Sequence, residues 1–174
     1  MDIIEVMRKR RSIRSYTGES VPDEIVEKVL QAGMLSPSGH GRRSWEFIVV
    51  KDRETLDKLS LCRQNTVKML QGGDVAIVVI GDAELSDMWV EDCSIAMANM
   101  HLAADSLGVG SCWVQVRCRK TASGEDSGEY IRSILGFPEK YMAEAILALG
   151  MPAEHPAPRE LSDLPAEKIH YEKF

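Results

Sequence analysis

Apolar residues recur at helical spacing in two stretches near the start of the chain. Ile3, Ile4 and Met7 predict a short amphipathic helix over 2–10 that ends in basic residues. Ile25, Val26, Val29, Leu30 and Met34 mark one face of a second helix. Ser20-Val21-Pro22-Asp23 reads as its start, with a capping-box-like Ser and Asp and a proline able to open the first turn. Ser36-Pro37 closes it, because a residue preceding proline is pushed out of helical geometry. Two β-branched runs of strand length come next, Glu46 to Val50 and Val75 to Ile80, with charged helical segments around 53–60 and 63–71 between them.

From Asp92 to Leu107 the pattern changes. Ile95, Ala96, Met97, Ala98, Met100, Leu102, Ala103, Ala104 and Leu107 put apolar residues on nearly every face, which predicts a helix buried on all sides. A chain of this size seldom encloses so long a helix alone, so 92–107 is expected at a symmetric dimer interface. A central core helix in a monomer is the other solution. Gly108-Val109-Gly110 ends the helix, and Cys112 to Cys118 alternates as a half-buried strand does. Residues 119–128 read as an exposed polar loop, 128–135 as a short helix and Met142 to Leu149 as a strand stopped by Gly150-Met151-Pro152. Pro156, Pro158 and Pro165 break regular structure from Ala153 onward, so 153–174 is expected as an extended tail lying on a surface, the partner's being a candidate. The 174 residues suffice for one full core, and no repeat or linker divides 1–174.

A formal net charge of −6 argues against a general nucleic-acid binder. The cluster Arg8-Lys9-Arg10-Arg11 is local and suits a small anion better than a polymer. The absence of a bilayer-length apolar run and of a signal-peptide pattern leads to the expectation of a cytoplasmic protein without a membrane partner. Cys62, Cys93, Cys112 and Cys118 form no C-x-x-C pair and read as reduced thiols, although Cys112 and Cys118 share strand parity. His40, His101, His155 and His170 have no metal-ligand spacing; no metal site is expected, and His101 reads as a hydrogen-bonded core residue. Gly108-x-Gly110 comes after a helix and has Trp113 in its third place, so it is not a dinucleotide fingerprint. With no acid–base or nucleophilic constellation, an enzyme built on this chain would rely on a bound cofactor.

Two stretches could hold one. Arg10-Arg11-Ser12-Ile13-Arg14-Ser15-Tyr16 gathers guanidinium groups and a hydroxyl, suited to phosphate. Ser36-Pro37-Ser38-Gly39-His40-Gly41 offers backbone amides with little side-chain bulk. Together they suit a phosphate-bearing planar ligand; the alternative is a basic cluster that merely complements a helix dipole.

These motifs, continued by Gly39-x-Gly41-x-x-Ser44-Trp45-Glu46-Phe47, Glu91-Asp92, Leu107-Gly108-Val109-Gly110-Ser111-Cys112-Trp113 and Ala148-Leu149-Gly150-Met151-Pro152, stand in an order that resembles the nitroreductase family in its short form. The resemblance spans essentially the whole chain. It implies an α+β fold with a mostly antiparallel central sheet wrapped by helices, in an intertwined homodimer joined through helix 92–107 and the C-terminal tail, with two FMN sites at the interface. By this likeness Arg10, Arg11, Ser12 and Arg14 grip the FMN phosphate and reach the ring. Pro37, Ser38, Gly39 and Gly41 belong to a loop that comes from the partner subunit. Gly110, Ser111, Trp113 and Gln115 run past the isoalloxazine, with a backbone N–H near Gln115 approaching flavin N5. Arg159 completes phosphate binding. Arg14 is the candidate for stabilising reduced flavin, with Arg43 a weaker one.

Two positions depart from the family pattern: Gly41 stands for a flavin-contacting Asn, and Ser44 for a Pro. Losing the Asn removes about 0.5–1.5 kcal/mol of hydrogen bonding, against about 1.5–3 kcal/mol for each charged phosphate contact retained. The implied activity is electron transfer from NADH or NADPH through FMN to a small acceptor, a nitroaromatic, quinone or similar, by a ping-pong mechanism. The alternatives are an FMN-binding carrier or sensor with little turnover, and an anion-binding module without flavin.

Overall fold

The computed structural model describes residues 2–174. Its centre is a four-stranded sheet in the order β1-β2-β4-β3, built from β1 (Trp45–Val50), β2 (Val75–Asp82), β3 (Gly110–Gln115) and β4 (Tyr141–Gly150), with every neighbouring pair antiparallel. All eight residues of β2 are buried, because helices cover both faces of the sheet. Period-two alternation divides them. Ala76, Val78 and Ile80 join Ile146 and Ala148 of β4 on one side, packed with Leu56 and Leu59 of α3 (Arg53–Leu59), Leu70 of α4 (Lys68–Gly72) and Ile131 of α6 (Ser127–Leu135). Ile77, Val79, Leu147 and Leu149 face the other way, against Val29 of α2 (Asp23–Met34) and Met97, Met100 and Ala104 of α5 (Trp89–Ser106).

The helix ends obey their capping residues. Asp2 accepts from the Ile4 N–H at 3.0 Å to start α1 (Ile3–Lys9), and Asp52 accepts from the Thr55 N–H at 2.8 Å to start α3. Asp126 does the same for α6, which Gly136 ends at φ 71°. At α2 the expected capping box is absent. Pro22 itself is the N-cap, no side chain caps the helix, and the Val21 N–H instead reaches Asp74 Oδ2 at 2.8 Å. The helix expected over 63–71 contracts to α4, since 63–67 is bent, irregular chain. The strand expected through Cys118 ends at Gln115; Cys118 sits beyond it at φ 58°, exposed, so it does not share a strand face with buried Cys112.

Helix α5 begins three residues earlier than its apolar run and buries Cys93, Ala96, Met97, Met100 and Ala104 within this chain. Ile95, at 40% exposure, and Ala98 lie uncovered on its other side, with half-buried Leu102 beside them. Residues 153–160 run along the α1 end of the molecule through Ala153 N–H to Ser15 O at 3.1 Å and His155 Nε2 to Asp105 Oδ1 at 2.9 Å. Residues 161–174 hydrogen-bond only among themselves and Glu160, among the described residues. Leu161, Leu164, Ile169, Tyr171 and Phe174 there are all more than half exposed.

Candidate functional site

The basic stretch begins where α1 stops, with Arg10 leaving helical geometry at ψ 121°. Ser12 and Ile13 then lie against β3, and 15–17 against 151–153 beyond β4. Ser12 makes a parallel bridge with Ser111, and the Ile13 N–H donates to the Ser111 carbonyl at 2.9 Å. Gly110 permits this approach, since a Cβ there would come within 2.8 Å of the Ile13 side chain. Ile13 is buried while Ser12 and Arg14 on either side stay accessible, as alternation along extended chain requires.

Arg10 turns toward α5, and its Nη1 donates to His101 Nε2 at 2.9 Å. A guanidinium only donates, so Nε2 is the acceptor; His101 is then neutral, with its proton on Nδ1 directed at Ser111 Oγ. Burial, and then the Arg10 charge, push the His101 pKa down to about 4, which agrees with a neutral ring. Burial and the neighbouring Arg159 and Arg11 charges hold Arg10 below the usual arginine range. The tail delivers Arg159: its N–H donates to the Arg8 carbonyl at 3.0 Å, and Arg8 Nη1 donates back to the Arg159 carbonyl at 3.2 Å. Arg11 Nη1 donates to the Ala157 carbonyl and ties the tail down beside it.

Two cavities open next to this cluster. The smaller, about 390 Å³, is lined by Arg10, Ser12, Ala98, His101, Leu102 and Trp113. The larger, about 660 Å³, takes Trp113 as a shared wall and adds Arg14, Arg63, Asn65, Lys68, Arg119 and Lys120. Trp113 Nε1 donates to Gln115 Oε1 at 2.8 Å, and Gln115 Nε2 donates to Glu144 Oε1 at 3.3 Å. Gln115 therefore fixes the indole and lines neither cavity. Burial raises the Glu144 carboxyl, whose Oε2 has no partner among the described residues.

The glycine-rich turn stands apart. Gly39 N–H donates to Asp92 Oδ1 and Ser44 Oγ donates to Asp92 Oδ2, both at 2.7 Å. Arg43 N–H donates to Ser38 Oγ at 2.8 Å. His40, Gly41 and Arg43 all adopt left-handed φ values of 53°, 68° and 51°, so this buried carboxylate holds a tightly wound loop. Asp92 lies in the first turn of α5 and His101 nine positions later, about 13 Å along the axis at about 1.5 Å per residue. None of Pro37, Ser38, Gly39 and Gly41 lines either cavity, and Arg43 does not either.

One chain thus assembles Arg10, Arg11, Ser12, Arg14, Ser111, Trp113 and Arg159 and leaves the 37–41 loop elsewhere. Asn65, Lys68 and Asp92 were not among the site residues expected from sequence. The first two fall in a stretch that reads as charged helix, and the third reads only as an acidic opening to α5; its burial beside the glycine turn is visible only in the folded chain. No His, Cys, Asp and Glu group among the described residues is placed to hold a metal ion, and no helix is long and apolar enough to cross a membrane. Burial raises the Cys62 thiol to about 11 and also raises Cys93 and Cys112, keeping all three protonated at neutral pH.

Comparison with known proteins bears on these features. A family model described as "Nitroreductase family" matches residues 7–62 and 61–151. A protein of Methanothermobacter thermautotrophicus, provisionally named NADH dehydrogenase/NAD(P)H nitroreductase, is 41% identical over 177 residues, covering 100% of this chain and 88% of its own. A protein of the same provisional name from Archaeoglobus fulgidus is 39% identical, with 99% of each chain covered. Among solved structures, an FMN-dependent nitroreductase from Clostridium difficile superposes with a TM-score of 0.95 at 43% identity, covering 98% of this chain and 99% of its own. A provisionally named nitroreductase from Desulfovibrio desulfuricans, solved in complex with FMN, superposes with a TM-score of 0.79 at 28% identity, covering 100% and 98%.

Proposed function

The chain belongs to the nitroreductase family, and on that premise we propose that it is an FMN-dependent oxidoreductase carrying electrons from NAD(P)H to a small acceptor such as a nitroaromatic or quinone. The observation that carries this reading is the crowding of Arg10, Arg11 and Arg159 at one point beside a cationic cavity. Like charges held together, one of them partly buried, disfavour one another until an anion joins them. A phosphomonoester with a charge of about −1.5 to −2 fits that demand.

Arg10, Arg11 and Arg159 would hold the phosphate, with Ser12 adding a neutral donor. Neutral His101 positions Arg10 from behind through the 2.9 Å bond. Arg14 and Lys68, in the larger cavity, would offset the negative charge that gathers on the ring during turnover. Trp113, fixed by Gln115, would flank it. When bound, FMN supplies the two-electron chemistry for which the chain has no side-chain equivalent, and donor and acceptor would use it in turn, the ping-pong order.

A homodimer completes this site. The 37–41 loop lies about two and a half helical turns from Arg10 along α5, at about 3.6 residues per turn, so it would serve the flavin held by the other copy. The uncovered Ile95, Ala98 and Leu102 surface of α5 and the apolar residues of 161–174 supply what such an assembly would bury.

The test is a visible spectrum after FMN is added and the excess removed by gel filtration, then anaerobic addition of NADPH or NADH. Flavin absorbance that co-elutes with a dimer and bleaches on reduction is expected. Retained flavin that neither nucleotide reduces would favour the carrier or sensor, and no retained flavin would defeat both.

A further inference from the structure

We propose that Arg63, Arg119 and Lys120, at the rim of the larger cavity, select a negatively charged electron acceptor, so that carboxylated or sulfonated aromatics are preferred over neutral ones. The proposal rests on the flavin reading above and adds to it the charge class of the second substrate.

The distribution of charge carries the argument. The chain has 27 acidic and 21 basic side chains, yet Arg14, Arg63, Lys68, Arg119 and Lys120 all line the 660 Å³ cavity and no Asp or Glu among the described residues does. Seven basic side chains elsewhere, Arg8, Lys9, Lys51, Arg53, Lys58, Arg132 and Lys140, each pair with a carboxylate. None of the five cavity cations does so among the described residues.

The flavin does not account for all of them. Its phosphate is assigned to Arg10, Arg11 and Arg159, and its ring charge to Arg14 and Lys68. Arg63, Arg119 and Lys120 remain. They come from two loops, 63–67 ahead of α4 and 118–120 after β3, and left-handed Cys118 turns the second loop at the cavity edge. Arg119 donates only to the neighbouring Cys118 carbonyl at 3.0 Å, and the side chains of Arg63 and Lys120 make no hydrogen bond among the described residues. Cations gathered around a concave mouth without acidic neighbours focus the potential there and raise the local concentration of anions. Arg119 and Lys120 are exposed, so each contributes modestly and salt weakens the effect.

The experiment compares 1,4-naphthoquinone with its 2-sulfonate as acceptors for the FMN-loaded protein, the balance in each case being NAD(P)H + H⁺ + quinone → NAD(P)⁺ + hydroquinone. The intrinsic difference between the two quinones cancels when protein forms are compared. In Arg119→Gln/Lys120→Gln, the ratio of kcat/KM for the sulfonate to that for the neutral quinone is expected to fall about fivefold. Arg63→Gln is expected to lower it further. In the unaltered protein the ratio should shrink between about 0.01 M and about 1 M salt, as the Debye length drops from about 30 Å to about 3 Å. An unchanged ratio in a variant that retains its flavin overturns the proposal while leaving the flavin reading intact. A loss confined to reduction by NADPH, with the acceptor ratio preserved, also overturns it, because the cations would then serve the donor's phosphates. Protein that retains no FMN removes the flavin reading and this proposal together.

Discussion

At the scale of single residues, His101 shows how much can hang on one proton. Its neutral Nε2 accepts from Arg10, and protonation would set two cations face to face. The folded pKa of about 4 lies below the ordinary 6.5, so the unfolded chain binds the proton first and stability is lost as pH falls from about 6.5 toward 4. His155 has the opposite sign: raised by Asp105, it contributes fully below 6.5 and loses that contribution as pH rises through its folded value. In apo protein, the urea midpoint of wild type is expected to fall relative to His101→Gln over this acid range, by up to about 3 kcal/mol in stability. Parallel curves for the two proteins would remove His101 from the account. Gly41 gives a second test. Its φ of 68° is one that Asn tolerates, and a Cβ there meets nothing within 4 Å. Gly41→Asn should therefore keep the fold at a small backbone cost and bind FMN about 2- to 10-fold more tightly, read by flavin fluorescence titration.

At the scale of elements, the parts of the fold that one periodicity encodes were legible in the sequence. β2 and β4 showed as apolar runs because burial on both faces wrote the pattern directly. The inner face of α5 showed likewise, whereas its apolar outer residues Ile95 and Ala98 are uncovered in this chain. What depended on partners distant in the chain was not. Pro22 is an N-cap because Asp74 takes the Val21 N–H, and Lys68 enters the cavity because 63–67 bends instead of continuing α4. The basic stretch was readable as a motif and Arg159 only through the family resemblance, whereas Asn65, Lys68 and the clamp at Asp92 came only with the chain folded. That clamp is testable. Asp92→Ala leaves the half-buried Gly39 N–H and the buried Ser44 hydroxyl without their acceptor, at a cost of about 1–3 kcal/mol for the hydroxyl and less for the N–H, which water can reach. Asp92→Asn keeps one oxygen acceptor and should fall between, both in denaturant midpoint and in flavin affinity. Full stability in the alanine variant would mean that the loop holds itself.

At the scale of the whole molecule, a sheet covered on both faces coexists with a tail whose large apolar side chains stay in water. Truncation after Glu160 keeps Arg159 in place and removes Leu161, Leu164, Ile169, Tyr171 and Phe174. Light scattering is expected to report a shift from dimer toward monomer, with parallel loss of bound flavin; a truncated dimer with full flavin content would assign the tail another purpose. The separation of the 37–41 loop from Arg10 along α5 has a genetic consequence as well. If each flavin is gripped by the arginines of one copy and the loop of the other, a chain damaged at Arg10 and a chain damaged at Asp92 fail for different reasons. Mixed in one assembly, the two inactive chains would regenerate one sound site in every heterodimer, and co-expressing them would restore activity that neither has alone.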